Sequence, residues 1–143
     1  MTTIPSDGGR TIALRIPAKA EYITLCRLAL TGLGQLRGIA EDTMADLKLA
    51  LTEAVSNSVR HAYGPNGEGS VDVRYELHPD RLGIVVVDDG EGFDPEREGA
   101  AEGDDLTEGG LGIAIIKSIA DEFELESTPG VRGSRLRFVK RLS

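Results

Sequence analysis

Tryptophan is absent from this 143-residue sequence, and three Phe and three Tyr are the whole aromatic complement. The core must therefore be built from Leu, Ile, Val and Ala. Cysteine occurs once, as Cys26 in "YITLCRLAL", which excludes an internal disulfide or a cysteine zinc site and predicts a buried helical thiol. No apolar run approaches a membrane span, and no basic start with an apolar stretch marks a signal peptide, so a cytoplasmic protein without membrane association is expected. Positive charge is in the minority: 16 Lys and Arg against 24 Asp and Glu give a net charge of −8. A surface that negative repels phosphodiester backbones and argues against direct nucleic-acid binding. The one basic cluster, Arg132, Arg135, Arg137, Lys140 and Arg141, reads as the charged outer face of a final strand. The G-x-x-x-x-G-K-[ST] pattern is missing, which excludes a P-loop NTPase, and the Rossmann fingerprint is missing too.

What remains is enough for one compact domain with a real core. Residues 1–10, "MTTIPSDGGR", read as a flexible tail, and residues 11–143 as the domain. "TIALRI" alternates like a strand that Pro17 ends, and "AKAEYITLCRLALTGLG" has helical spacing that stops among Gly32 and Gly34. A second helix is expected from an N-cap at Asp42 to about His61 or Ala62. "SVDVRYEL" and "RLGIVVVD" form a hairpin through "HPD", with the second strand ending at Asp88. Residues 89–110 are rich in glycine and acid and lack periodicity, the pattern of a functional lid or binding loop, or else of a disordered segment. "LGIAIIKSIADEF" resumes a helical stripe, and "FELEST" and "RGSRLRFVK" alternate around the turn "PGV". The order β-α-α-β-β-loop-α-β-β predicts an α+β fold: a two-layer sandwich, its sheet mixed or mostly antiparallel, with the helices on one face.

Three clusters carry chemistry. In "LTEAVSNSVRHAY", Leu47, Leu51, Ala54, Val55, Ser58, Val59 and Ala62 form the packing stripe. Glu53, Asn57 and His61 advance only about 40° per step and form a second ridge. A solvated polar face would also be polar here, but such faces favour Glu, Lys and Arg, and Asn is a mediocre helix former. Glu and Asn one turn apart offer a proton acceptor beside a neutral oxygen ligand suited to Mg²⁺. In "VVVDDGEGFD", Asp88 closes an apolar strand and begins D-x-G-x-G spacing through Gly90 and Gly92. Asp88 there can accept a hydrogen bond from the exocyclic amine of adenine, whereas guanine would oppose it with a carbonyl. In "EGGLGIAIIKSIAD", Gly109, Gly110, Leu111 and Gly112 lead into a helix N-terminus, whose unpaired amides favour phosphate.

In this order, E-x-x-x-N-x-x-x-H, D-x-G-x-G and G-G-L-G-I resemble the N, G1 and G2 boxes of the GHKL ATPase superfamily, which has the Bergerat ATP-binding fold. The resemblance covers roughly residues 10 to 140, and "LALTEAVSNSVRHAY" and "GGLGIAIIKSIAD" are most similar to the anti-sigma-factor serine/threonine kinases. It implies ATP and Mg²⁺ as cofactors. Glu53 would be the catalytic base, Asn57 the Mg²⁺ ligand, and His61 part of the nucleotide helix. Asp88 would hold adenine, with Gly90 and Gly92 shaping its pocket, and Gly109, Gly110, Leu111 and Gly112 would form the phosphate turn. Ser134 in "RGSRL" falls where relatives often carry a Gly-Thr pair, and residues 94–108 would be the ATP lid.

Glu108 departs from relatives that place an arginine just before the phosphate glycines, and it opposes the charge stabilisation phosphoryl transfer needs. Arg60 or Lys117 could compensate, though each reads more readily as a surface charge, and slow turnover is expected. The implied function is an anti-sigma factor that binds a sigma factor and phosphorylates an anti-sigma-factor antagonist, working as a homodimer through the N-terminal strand and helix. Two alternatives stand beside it: a nucleotide-gated binding module without kinase turnover, and the ATP-binding fragment of a sensor histidine kinase. The second lacks a dimerisation helix pair with a phosphoacceptor histidine, since the only histidines are His61 and His78.

Overall fold

The computed structural model describes residues 9–62, 69–91, 111–127 and 132–142, with the side chains of Gly90, Glu91 and Arg132 left aside. The chain begins with strand β1 (Arg10–Pro17), a 3₁₀ turn (Ala20–Tyr22), and helices α1 (Ile23–Arg37) and α2 (Glu41–Ala62). Strands β2 (Ser70–Leu77) and β3 (Arg81–Glu91), helix α3 (Leu111–Ile119), and strands β4 (Glu122–Ser127) and β5 (Arg132–Arg141) follow. This is the expected order of elements. The tail at residues 1–8, the lid at 94–108, the "PGV" turn, Gly92, Gly109 and Gly110 lie outside the described residues.

The five described strands are ordered β1-β2-β3-β5-β4, and each of the four pairings is antiparallel. An antiparallel sheet is one of the two arrangements the sequence suggested, and it has a topological basis. The crossover through α3 makes β3 and β4 parallel to each other, but β5 inserts between them and converts both contacts to antiparallel ladders.

Side chains alternate across the sheet, so register assigns them to faces. Ile16, Val71, Asp88, Ser134 and Ser127 share one row, and Leu14, Val73, Val86, Leu136 and Leu125 share the next. These rows face the helices. Ile16, Val71, Val73, Ile84, Val86, Leu136 and Phe138 are buried in one cluster with Leu30, Leu47, Leu51, Val55 and Ile116 from the three helices. Aliphatic side chains dominate this core. Tyr75, the largest fully buried side chain, satisfies its hydroxyl by donating to the Cys26 carbonyl at 2.7 Å. Cys26 is the expected buried helical thiol, and burial pushes its pKa up to about 11.

The opposite face carries charge. Arg15 pairs with Asp72 at 2.7 Å, Arg137 with Glu76 at 3.0 Å and Arg135 with Glu124 at 3.9 Å. The C-terminal basic residues are therefore largely an outer face, as expected. Lys140 is the exception: its register with Leu82 turns it to the helix side, where its ammonium lies 3.9 Å from Asp121.

Three element boundaries differ from the sequence reading. Helix α1 does not stop at Gly32 or Gly34 but runs to Arg37 and ends at Gly38, whose φ of 65° is the left-handed conformation of a helix C-cap. Gly34 serves packing instead, because a β-carbon there would overlap Cε of Met44 on α2. Helix α2 starts at Glu41, so Asp42 is inside the first turn, where its charge complements the helix dipole, and is not the cap. Strand β3 runs past Asp88 to Glu91, with its register against β5 shifting between those two residues. Asp88 is the last regular pair before a bulge rather than the strand's last residue.

Candidate nucleotide site

Helix α2 supplies the first part of the site. Its packing stripe is buried as expected, and the C-terminal half is tied to the end of the sheet that holds Asp88. Gly69 abuts the Ala62 carbonyl while accepting a 3.0 Å hydrogen bond from the Ala18 amide, and Val71, two residues later, pairs with Asp88. Asn57 is only 4% exposed, far too little for a solvated face. Glu53 and His61 are half-buried one turn to either side of it. The ridge is therefore a wall of the interior, occupied by side chains that a purely structural helix would replace with apolar ones.

Helix α3 meets this ridge at Glu53. A β-carbon at Gly112 would stand 2.9 Å from Glu53 Oε2, so the carboxylate lies directly against the first turn of α3. A glycine at this position lets a proton acceptor and the amide-rich helix start share one spot. Leu111, the first residue of α3, is half exposed beside it.

Asp88 and Ser134 form the third part. Both are buried, at 4% and 7% exposure, and they face each other across the β3–β5 ladder. The Ser134 hydroxyl donates to Asp88 Oδ2 at 2.5 Å, which fixes the plane of the carboxylate. A cleft of about 610 Å³ opens here around the end of the strands, lined by Val87, Asp88, Leu125, Ser127, Gly133 and Ser134 among others. Asp88 is the buried acceptor in this cleft, which Glu126 and Arg135 also line and which Glu53 and Asn57 do not. The contribution of β4, through Leu125 and Ser127, was not anticipated from the sequence; the alternation of "FELEST" was the available signal.

Neither cation expected to offset Glu108 is idle. Lys117 lies 5.4 Å from the centre of the Phe123 ring, a cation–π contact between α3 and β4. Arg60 Nη2 donates to Asn57 Oδ1 at 3.2 Å. The i,i+3 spacing in "NSVR" contained this contact, but sequence reasoning passed over it. Glu108 itself lies outside the described residues.

The residues fit a magnesium nucleotide. Asn57 presents a buried, neutral, hard oxygen, and among the described residues no group of three or more His, Cys, Asp or Glu side chains is placed to cage a metal. Mg²⁺ keeps several waters and takes one or two protein oxygens beside phosphate oxygens, so most of its shell is left to water and nucleotide.

Residues 16–140 match the model of the histidine kinase-like ATPase domain. The chain belongs to that family. Within the histidine kinase-like ATPases, it is 40% identical over 139 residues to the serine-protein kinase RsbW of Staphylococcus epidermidis, covering 91% of this chain and 87% of that protein. It is 39% identical over 140 residues to RsbW of Bacillus pumilus, covering 91% and 86%. Among solved structures, the RsbU and RsbW domains of a Mycobacterium tuberculosis protein superpose with a TM-score of 0.65 at 21% identity, covering 92% of this chain and 32% of that one. The catalytic domain of the histidine kinase ThkA gives 0.53 at 16% identity, covering 92% and 98%. At those identities the superpositions establish the fold, and the family's α+β architecture is the one described above.

Proposed function

We infer that this chain is an ATP-dependent serine-protein kinase of the RsbW type, which binds a sigma factor and phosphorylates an anti-sigma-factor antagonist protein. The enzyme class follows from relatives at about 40% identity over nearly the whole chain, all named serine-protein kinases. The observation that carries the site assignment is the placement of Glu53 against Gly112, with buried Asn57 one turn along the same ridge.

In this reading Asp88, held by Ser134, accepts the adenine amine, and the glycine turn around Gly112 receives the phosphates at the start of α3. Asn57 would hold Mg²⁺, which when bound would offset the negative charge of the phosphates. Glu53 takes the proton from the acceptor serine hydroxyl as that oxygen bonds to the γ-phosphorus. The bond from phosphorus to the β–γ bridging oxygen breaks, and ADP leaves carrying that oxygen. His61, half-buried one turn beyond Asn57 on the same ridge, would line the nucleotide site. The lid at 94–108, Gly90, Gly92, Gly109 and Gly110 complete the nucleotide enclosure.

The reading includes a homodimer formed by β1 and α1. β1 is a sheet edge, and Ile12 on it is 42% exposed. Leu25, Leu28 and Leu36 form one stripe on α1 and are 47%, 61% and 82% exposed. Apolar surface of this kind beside an open edge calls for a partner. No described helix is long and apolar enough to cross a membrane, and a cytoplasmic site of action fits a sigma-factor target.

The deciding experiment follows labelled phosphate from ATP to an antagonist protein, using wild type, Glu53→Gln and Asp88→Asn, with ATP binding measured in parallel. Glu53→Gln should bind ATP yet transfer about two to four orders of magnitude more slowly. Asp88→Asn should bind ATP poorly. A wild-type chain that binds ATP and partner without transfer is a nucleotide-gated module, and the kinase reading falls.

A further inference from the structure

Asn57 offers a metal only one atom, its amide oxygen, because the other terminal atom is a nitrogen donor. In this structure that oxygen already has a cationic neighbour on its own helix: Arg60 Nη2 donates to it at 3.2 Å. The two partners differ sharply in setting. Asn57 is 4% exposed and Arg60 is exposed, lining a cleft together with Ala18, Lys19, Glu21 and Val59. A buried amide is thus held by a guanidinium that reaches it from an exposed position.

We propose that Arg60 is a positioning residue that competes with the divalent cation for the Asn57 oxygen and is displaced when magnesium nucleotide binds. The proposal rests on the reading of Asn57 as the Mg²⁺ ligand. Magnesium binds oxygen at about 2.1 Å, so a dication on Oδ1 and a guanidinium still 3.2 Å from that atom would lie at most about 5 Å apart and repel each other. That repulsion favours a shift of Arg60 away from Oδ1. Nucleotide phosphates would give it a better partner, since guanidinium pairs bidentately with phosphate and only singly with an amide oxygen. Before binding, Arg60 keeps the Asn57 oxygen engaged and the amide in one orientation. It thereby sets the Mg²⁺ concentration at which nucleotide binding becomes tight. A lysine at position 60 would retain the charge but present a point donor, and would compete less well.

The test is calorimetric titration of the intact chain with ATP over a series of MgCl₂ concentrations. Wild type, Arg60→Met, Arg60→Lys, Asn57→Ala and the Asn57→Ala/Arg60→Met double variant are compared. Arg60→Met should lower the Mg²⁺ concentration for half-maximal ATP affinity by about 3- to 10-fold, as expected for removal of one partly exposed charge-assisted hydrogen bond. Arg60→Lys should fall between Arg60→Met and wild type. In the Asn57→Ala background the Arg60→Met change should have no further effect on the magnesium midpoint, because the residue acts through Asn57. An unchanged or raised midpoint in Arg60→Met, with magnesium dependence lost in Asn57→Ala, overturns the role of Arg60 and leaves Asn57 as the ligand. A wild-type midpoint in Asn57→Ala overturns the ligand assignment, and the Arg60 proposal with it.

Discussion

Gly112→Ala separates the geometry of the base from the stability of the fold. The new methyl would lie 2.9 Å from Glu53 Oε2 and 3.7 Å from its Cδ, inside ordinary contact distance for the first. The obstructing atom is the end of a flexible side chain, so the clash relaxes by swinging the carboxylate and not by moving backbone. Gly112 is in the first turn of α3, and alanine is the better helix residue by up to about 1 kcal/mol. The folded protein should therefore keep its melting temperature or gain slightly. The swing needed is roughly half an ångström or more at the carboxylate, and misplacement by about an ångström costs on the order of 100-fold in rate. Phosphate transfer at saturating ATP should fall by about 10- to 100-fold. Thermal unfolding and single-turnover transfer of labelled phosphate to an antagonist protein, with ATP affinity from calorimetry, check both halves. A stable variant with the wild-type saturating rate would refute the argument that Glu53 must occupy this position. Loss of folding would refute the claim that the glycine serves the site and not the core.

Gly34→Ala also meets the end of a flexible side chain, Met44 Cε at the α1–α2 contact, so Met44 should swing aside and stability should stay within about 1 kcal/mol of wild type, lost packing offset by alanine's helix propensity; urea unfolding measures it. Ser134→Ala removes the hydroxyl bonded to Asp88 and should cost about 1–2 kcal/mol in stability and several-fold in ATP affinity, with Ser134→Thr near wild type in both calorimetry and thermal melts. Cys26, fully buried with its pKa raised to about 11, should resist iodoacetamide at pH 8 until the chain is unfolded, as mass spectrometry would record. The same shift has a sign for stability: the folded state favours the neutral thiol, so its contribution is intact below the unfolded value of 9.0 and is lost as pH rises from there toward 11. Asp72 runs the other way: Arg15 holds its carboxyl below the usual range, so the pair's contribution is present above about pH 4 and lost as pH falls further. Acid titration of unfolding in Asp72→Asn should show a smaller loss below pH 4 than wild type.

The elements that could be read from the sequence were those whose determinants are local. The packing stripe of α2, the alternation of β2, β3 and β5, and the polar ridge at Glu53 and Asn57 each repeat within a few residues, and each is found where the period puts it. What escaped depended on neighbours distant in sequence. Gly34 reads as a helix stop until Met44, ten residues on, is seen to need its space, and the actual stop is Gly38. Asp88 reads as a strand end because D-x-G looks like a turn, yet pairing between Glu91 and Arg132 carries the strand onward across a bulge. The side chains of Glu53, Asn57 and Asp88 were legible as candidates, but the contact of Glu53 with Gly112 and the bond from Ser134 to Asp88 join residues 59 and 46 positions apart. No local pattern encodes such distances.

The place of β5 in the sheet has a consequence for how the molecule comes into being. This last described strand lies between β3 and β4, not at an edge, and it carries Ser134 to Asp88. During vectorial synthesis, β1, β2 and β3 can form a meander with both helices against it while β3 still presents an unsatisfied edge. β4 emerges next but has no ladder to join, because its only neighbour is the strand yet to come. The arrival of β5 closes two ladders at once, so folding ends in one cooperative, long-range step of high contact order. The proposed adenine end of the site, Asp88 with Ser134, is assembled in that same step, so on this reading nucleotide recognition is acquired only when the sheet is closed.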